Sequence, residues 1–276
     1  MRTIARDIGK TLLVWAALTI GMIAGALVAA LPQGKAIVDG PFTSGQALLL
    51  ANALLALTIA VLAPRIAGRI WQRALTLFVL LYCVETLLSV IEALYFQRYL
   101  GLPAGLLGGL AVINVVKSAL AAGAAAWLWR APEAPQRHPR GLAWKLPVLA
   151  LAYVGFYFGA GEFIAFQSEI VRAYYGNALE IDRFNLALLQ IGRGAIWAGL
   201  AWLLARTLVG SLTARMLLTG LAFSLFMIVP LLFPSEFMPW SVRSVHMIEI
   251  GVSNLLYGLF AGWLLGSGMD SKARAS

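Results

Sequence analysis

Charge is scarce in this sequence. Only 12% of its 276 residues are Asp, Glu, Lys or Arg, where a soluble chain carries about a quarter. With 61% hydrophobic residues and a mean hydropathy of +0.84, the polar surface is too small to cover a water-soluble globule. Cysteine is nearly absent. The single copy, Cys83, lies inside an apolar run, which excludes a disulfide framework and a Cys-based metal centre. Histidine occurs twice, at His138 and His246. Any metal would therefore rest on carboxylates such as Glu249, Glu162 and Glu92, a poor shell for zinc, and neither metal nor cofactor is expected. There is no Asn-x-Ser/Thr sequon, no Gly-x-Gly-x-x-Gly and no His-Glu-x-x-His. Gly9-Lys10-Thr11 matches only the end of a phosphate-binding loop, because Ile4 stands where the earlier glycine belongs.

What the chain has in abundance is long apolar runs. Eight approach or exceed the length needed to cross a bilayer, near residues 10–31, 46–64, 72–96, 105–129, 145–166, 187–207, 213–233 and 242–266. The expectation is an all-α polytopic bundle, residues 1–276 forming one integral membrane domain. The first run is longer than a signal-peptide core and reads as an uncleaved span. The net charge of +9 does not imply nucleic acid, because the basic residues sit in short clusters between spans. With the amino terminus inside, fourteen Lys and Arg fall on the cytoplasmic side: Arg2, Arg6, Lys10, Arg65, Arg69, Arg73, Arg130, Arg137, Arg140, Lys145, Arg206, Arg215, Lys272 and Arg274. Five (Lys35, Arg98, Arg172, Arg183 and Arg243) fall outside. That bias predicts eight spans with both termini cytoplasmic. Arginine over lysine and frequent alanine suggest a GC-rich bacterium, hence a cell inner membrane.

The linker 131–144, rich in proline and charge, divides the chain into segments 1–130 and 145–270. The halves resemble each other weakly. A shift of 136 sets Pro103 on Pro239, Trp127 on Trp263 and Lys117-Ser118 on Ser253-Asn254. Four spans per half would make parallel repeats. Glycine pairs at Gly21/Gly25, Gly155/Gly159 and Gly258/Gly262 are expected to mark close helix contacts rather than a dimer face. Assembly into a homo-oligomer is left open.

Ionisable groups in hydrocarbon need a partner or water. Glu85 lies twelve residues after Arg73, and Lys117 twelve after Gly105, so both sit roughly 18 Å from a span end and should pair. Nearer the non-cytoplasmic end come Glu92, Glu162, Gln190, Arg193, His246 and Glu249, with Asn254 further along. Tyr82, Glu85, Ser89 and Glu92 form one stripe at helical spacing; so do Gln190, Arg193 and Trp197, and so do His246, Glu249, Ser253 and Tyr257. These stripes are expected to converge on a polar site open to the non-cytoplasmic side, its candidates being Glu85, Lys117, Glu92, Glu162, Gln190, Arg193, His246, Glu249 and Asn254. Glu162, Glu169, Arg172, His246 and Asn254 are faintly similar to the intramembrane CAAX-type protease pattern, but its adjacent glutamates and second membrane histidine are missing.

Three function classes fit. The first is a small transporter or an ion- or proton-coupled permease. The second is an intramembrane enzyme acting on a lipid, with Glu162, His246 and Glu249 as acid–base groups and Arg193 on the head group. The third is a non-catalytic accessory subunit, for which 167–186 is the best docking segment. The partners implied are the lipid bilayer and a small solute, ion or lipid head group.

Overall fold

In hydrocarbon no water takes up a peptide N–H or C=O, so each apolar run satisfies its own backbone by coiling. The computed structural model describes residues 2–30, 37, 39–103, 105–130, 137–176 and 182–267. Its regular elements are α1 (Arg2–Ala29), α2 (Ser44–Leu62), α3 (Ile70–Tyr82), α4 (Leu88–Leu100), α5 (Leu106–Leu128), α6 (Leu142–Phe163), α7 (Glu169–Tyr175), α8 (Arg183–Thr207), α9 (Leu212–Ile228) and α10 (Trp240–Gly266). No strand occurs among the described residues. A π-helical turn, Cys83–Leu87, joins α3 and α4 into one rod. Eight rods are long and apolar enough to cross a membrane: α1, α2, α3–α4, α5, α6, α8, α9 and α10. This is a multi-pass membrane protein.

Span ends differ from expectation where caps decide them. α8 begins at Arg183 rather than 187 because the Asp182 carboxylate accepts from the backbone N–H groups of Phe184 (2.9 Å) and Asn185 (3.3 Å). α2 starts on a reciprocal box in which Thr43 Oγ1 accepts from Gln46 N, and Gln46 Oε1 accepts from Thr43 N. The loop expected at 167–186 contains α7 and lies partly outside the described residues. So do Lys35, Lys272, Arg274 and the first part of the 131–144 linker.

The helices pack in two neighbouring groups. α1 lies on α2 and α5, and α3 on α5; α6 lies on α8 and α10, and α10 on α9. Glycines permit the closest approaches. A Cβ on Gly21 or Gly25 would stand 2.7 Å from the Cα of Lys117 or Ile113, and one on Gly258 would stand 2.6 Å from Gly220 Cα. Gly155 and Gly159 behave differently: no atom lies within 4 Å of either Cβ position. They line an apolar cleft of about 240 Å³ between α6 and α10 with Phe156, Phe163, Val252 and Ser253. α6 makes its tight contact elsewhere, where Gly194 of α8 meets the Ala150 carbonyl.

The termini of α1 and α10 share one end of the bundle with most of the described arginines, and this end is termed the basic face. There Lys10 stands 5.6 Å over the Trp129 ring, Lys145 Nζ donates to Ser267 O, and buried Arg73 donates to the carbonyls of Ala63, Ala126 and Trp129.

Candidate functional site

Two acidic side chains leave the α3–α4 rod and find different basic partners. On an unbroken helix Glu85 and Glu92, seven residues apart, would share a face. The π-helical turn contains Glu85 and inserts a residue into the winding, which turns the downstream helix by about 100°. The expected single stripe is thereby split. Glu85 meets Lys117 of α5, both side chains at most 4% exposed. Glu92 meets Arg193 of α8, its Oε2 lying 2.9 Å from Nη2.

The Glu85–Lys117 pair is sealed. Gly21 lets the α1 backbone press against Lys117. Glu85 Oε2, Thr86 Oγ1 and Ser118 Oγ are buried without a hydrogen-bond partner among the described residues. Burial of this kind strengthens the attraction and removes the water that would dissolve it.

Arg193 has a richer setting. It is 1% exposed. Besides Glu92, its Nη1 donates to Gln190 Oε1 at 2.8 Å, and its guanidinium lies 5.8 Å from the Tyr153 ring centre and 6.0 Å from that of Tyr157. Gln190 Nε2 reaches Glu92 Oε1 at 3.5 Å, and Tyr157 lies within electrostatic reach of Glu92. The Glu92 side chain is 23% exposed, so one edge of this knot opens to the surroundings. Trp197, Phe223 and Tyr257 pack below it as an aromatic floor.

A second group stands beside the first. His246 Nδ1 lies 2.5 Å from Glu249 Oε2, and its Nε2 lies 3.0 Å from the Tyr175 hydroxyl. Burial, with Tyr174, Glu92 and Glu249 nearby, pushes the Tyr175 phenol up, so it stays protonated and donates. In the tautomer whose Nε2 accepts that hydroxyl, Nδ1–H donates to Glu249. The chain Tyr175–His246–Glu249 can carry a proton from the loop helix into the bundle. Tyr153 lies within electrostatic reach of Arg193, Glu92 and Glu249, and Tyr175 within reach of both carboxylates. The two groups adjoin.

Of the nine candidates, five gather here: Glu92, Gln190, Arg193, His246 and Glu249. Glu85 and Lys117 meet as a separate pair. Glu162 is exposed at the end of α6, where its carbonyl accepts from Gln167. It follows inward-facing Tyr157 by five residues, which turns it away by about 140°. Asn254 is buried and donates back to Ile250 O of its own helix. Three tyrosines were missed. Tyr153 and Tyr157 are spaced four apart on α6, a legible polar-tipped stripe; Tyr175 reads from sequence only as an interfacial aromatic.

At the mouth of the bundle Asp39 ties the α1–α2 loop to α10. Its carboxylate accepts from Arg243 Nη1 (2.6 Å) and Trp240 N (3.1 Å). The Trp240 N–H and the Arg243 guanidinium, outweighing burial, hold its pKa below the usual aspartate value. Among the described residues no three His, Cys, Asp or Glu side chains gather as ligands for one ion. Comparison with known protein families, curated proteins and solved structures finds no match.

Proposed function

We propose that this chain is a small proton-coupled secondary transporter of a cell inner membrane, with both termini cytoplasmic and a site for a small anionic solute. One observation carries the reading: a wholly buried arginine whose ionic partner, Glu92, keeps an exposed edge. A buried guanidinium requires an anion, and the protein supplies one that a proton can remove. When Glu92 takes a proton from the non-cytoplasmic side, Arg193 is left to pair with a carboxylate or phosphate of the solute. Gln190 holds the guanidinium in place and the Tyr153 and Tyr157 rings lie beside it. The Tyr175–His246–Glu249 chain offers a second route for the proton. The positive-inside bias supports the orientation, and on the cytoplasmic side backbone pairing at Ile66 and Leu208 closes the bundle.

The test is uptake into proteoliposomes with an inward proton gradient. Wild type accumulates one class among carboxylates, phosphates and inorganic ions. Arg193→Gln abolishes uptake, while Glu92→Gln retains solute exchange and loses its response to the gradient. If no solute moves, or Glu92→Gln leaves gradient dependence intact, the reading fails.

A second reading, an intramembrane enzyme acting on a lipid, is favoured by the Tyr175–His246–Glu249 chain, which could move a proton to a head group held at Arg193. It requires turnover of a phospholipid or prenyl substrate that His246→Gln removes.

A further inference from the structure

The cytoplasmic ends of α2–α3 and α8–α9 are built alike. Residues 62–77, LAPRIAGRIWQRALTL, align with 204–219, LARTLVGSLTARMLLT, and the identities are Leu62/Leu204, Ala63/Ala205, Gly68/Gly210, Arg73/Arg215 and Leu75/Leu217. Their conformations match step by step. Ile66 and Leu208 are extended. Gly68 and Gly210 take φ of +120° and +125°, a region that L side chains rarely enter. Arg69 and Ser211 are extended caps, with ψ of 158° and 162°. Arg73 and Arg215 are then buried in the first turns that follow.

The two segments also bind each other reciprocally. Ala67 N donates to Thr207 O and Val209 N donates to Arg65 O, both at 2.8 Å. Under the alignment Ala67 corresponds to Val209, and Arg65 to Thr207, so each bond is the image of the other. Reciprocity of this kind is the mark of a two-fold axis. Helix packing obeys the same exchange. α2 lies on α9 as α8 lies on α3; α1 on α5 as α6 on α10; α1 on α2 as α6 on α8; and α3 on α5 as α9 on α10. The shift of 136 noted for Lys117 and Ser253 suits the other helices of each half to within a residue: Gly21 of α1 abuts Lys117, and Phe156 O of α6, one residue before the counterpart of Gly21, accepts from Ser253. The inner helices are shifted by 142 because the loop holding α7 lengthens the second half, and the longer α3–α4 rod restores the difference.

The geometry points to a cytoplasmic gate on an internal two-fold axis. The halves α1–α5 and α6–α10 tilt against each other on either side of that axis, and the inward-facing state requires the Ile66–Leu208 bridge to part. Among the described residues two backbone bonds close the bridge, so it can open without unfolding either turn. Arg73, buried behind its glycine turn, donates to Ala63 O and ties that turn to α5, and Arg215 is buried at the matching position of the other half. This inference rests on the transport reading and extends it to the moving parts.

The test uses a Cys83→Ala background. Spin labels at the exposed, symmetry-matched positions Arg69→Cys and Ser211→Cys report the gap in reconstituted protein by pulsed electron resonance. One short distance is expected at neutral pH, with a second, longer population when Glu92→Gln imitates the protonated site. A single unchanging distance overturns the gate. In parallel, Ile66→Cys/Leu208→Cys is oxidised; opposed residues of an antiparallel bridge lie about 4.5–5.5 Å apart at Cα, within disulfide range. Uptake is expected to fall at least about tenfold and to return on reduction. Unimpaired uptake with the disulfide formed also overturns the gate. Opening seen by the labels in a protein that moves no solute leaves the gate standing and removes the transport reading.

Discussion

The two ion pairs on the α3–α4 rod use the same chemistry in different surroundings. Glu85–Lys117 is closed on all sides, one carboxylate oxygen has no hydrogen-bond partner, and the α1 backbone presses on it. Glu92–Arg193 shares its charges among an amide and two tyrosine rings, and its acid keeps an open edge. A sealed pair can be broken only by leaving a bare charge in the interior. The other keeps part of its acid exposed, and the transport reading has it exchange its anion or take up a proton. The first is a staple that sets how α3 and α5 meet; the second is where the transport reading puts the site.

The largest expected effect tests the staple. Lys117→Met strands Glu85 and should cost about 3–5 kcal/mol of stability, read by thermal or denaturant unfolding in detergent. Glu85→Gln with Lys117→Met should recover most of the loss, and a double variant no more stable than the single would deny the pair that role. Arg193→Gln should cost less, about 1–3 kcal/mol, because Glu92 is partly exposed and keeps Gln190 beside it; an equal loss would erase the contrast between the pairs.

The smallest effect lies at the rim, where Asp39 clasps Arg243. A carboxyl with a depressed folded pKa stabilises fully above its unfolded value of about 3.9 and loses that contribution as pH falls through the folded value. Asp39→Asn should therefore melt below wild type at pH 6, with the gap narrowing steadily under pH 4. A gap that persists in strong acid would show that the loop is held by the backbone contacts alone.

Much of this was legible in the residues. Span number follows from apolar length, and the Glu85–Lys117 contact follows from depth alone, since two opposite charges at mid-bilayer on consecutive helices have few other ways to be satisfied. The partition of Glu92 to Arg193 was not legible, because it depends on a π-helical turn that apolar spacing does not reveal. Glu162 reads as buried from its position near a span end, yet rotation about the helix axis places it outside. The glycine pairs look equivalent along the chain. Gly21 and Gly25 are filled by a neighbouring backbone, whereas Gly155 and Gly159 line a cleft, and only the stand-off of α6 from α10 separates the cases.

By itself the sequence determined the solvent, the number of crossings and the scarcity of polar groups, because the transfer of side chains and backbone into hydrocarbon is a local property of each segment. Tertiary structure alone decided which acid faces which base, that three tyrosines join the polar knot, and that two distant turns clasp each other. Those outcomes depend on helix rotation and on approaches of a few ångströms between segments far apart in the chain, and no one-dimensional pattern holds them.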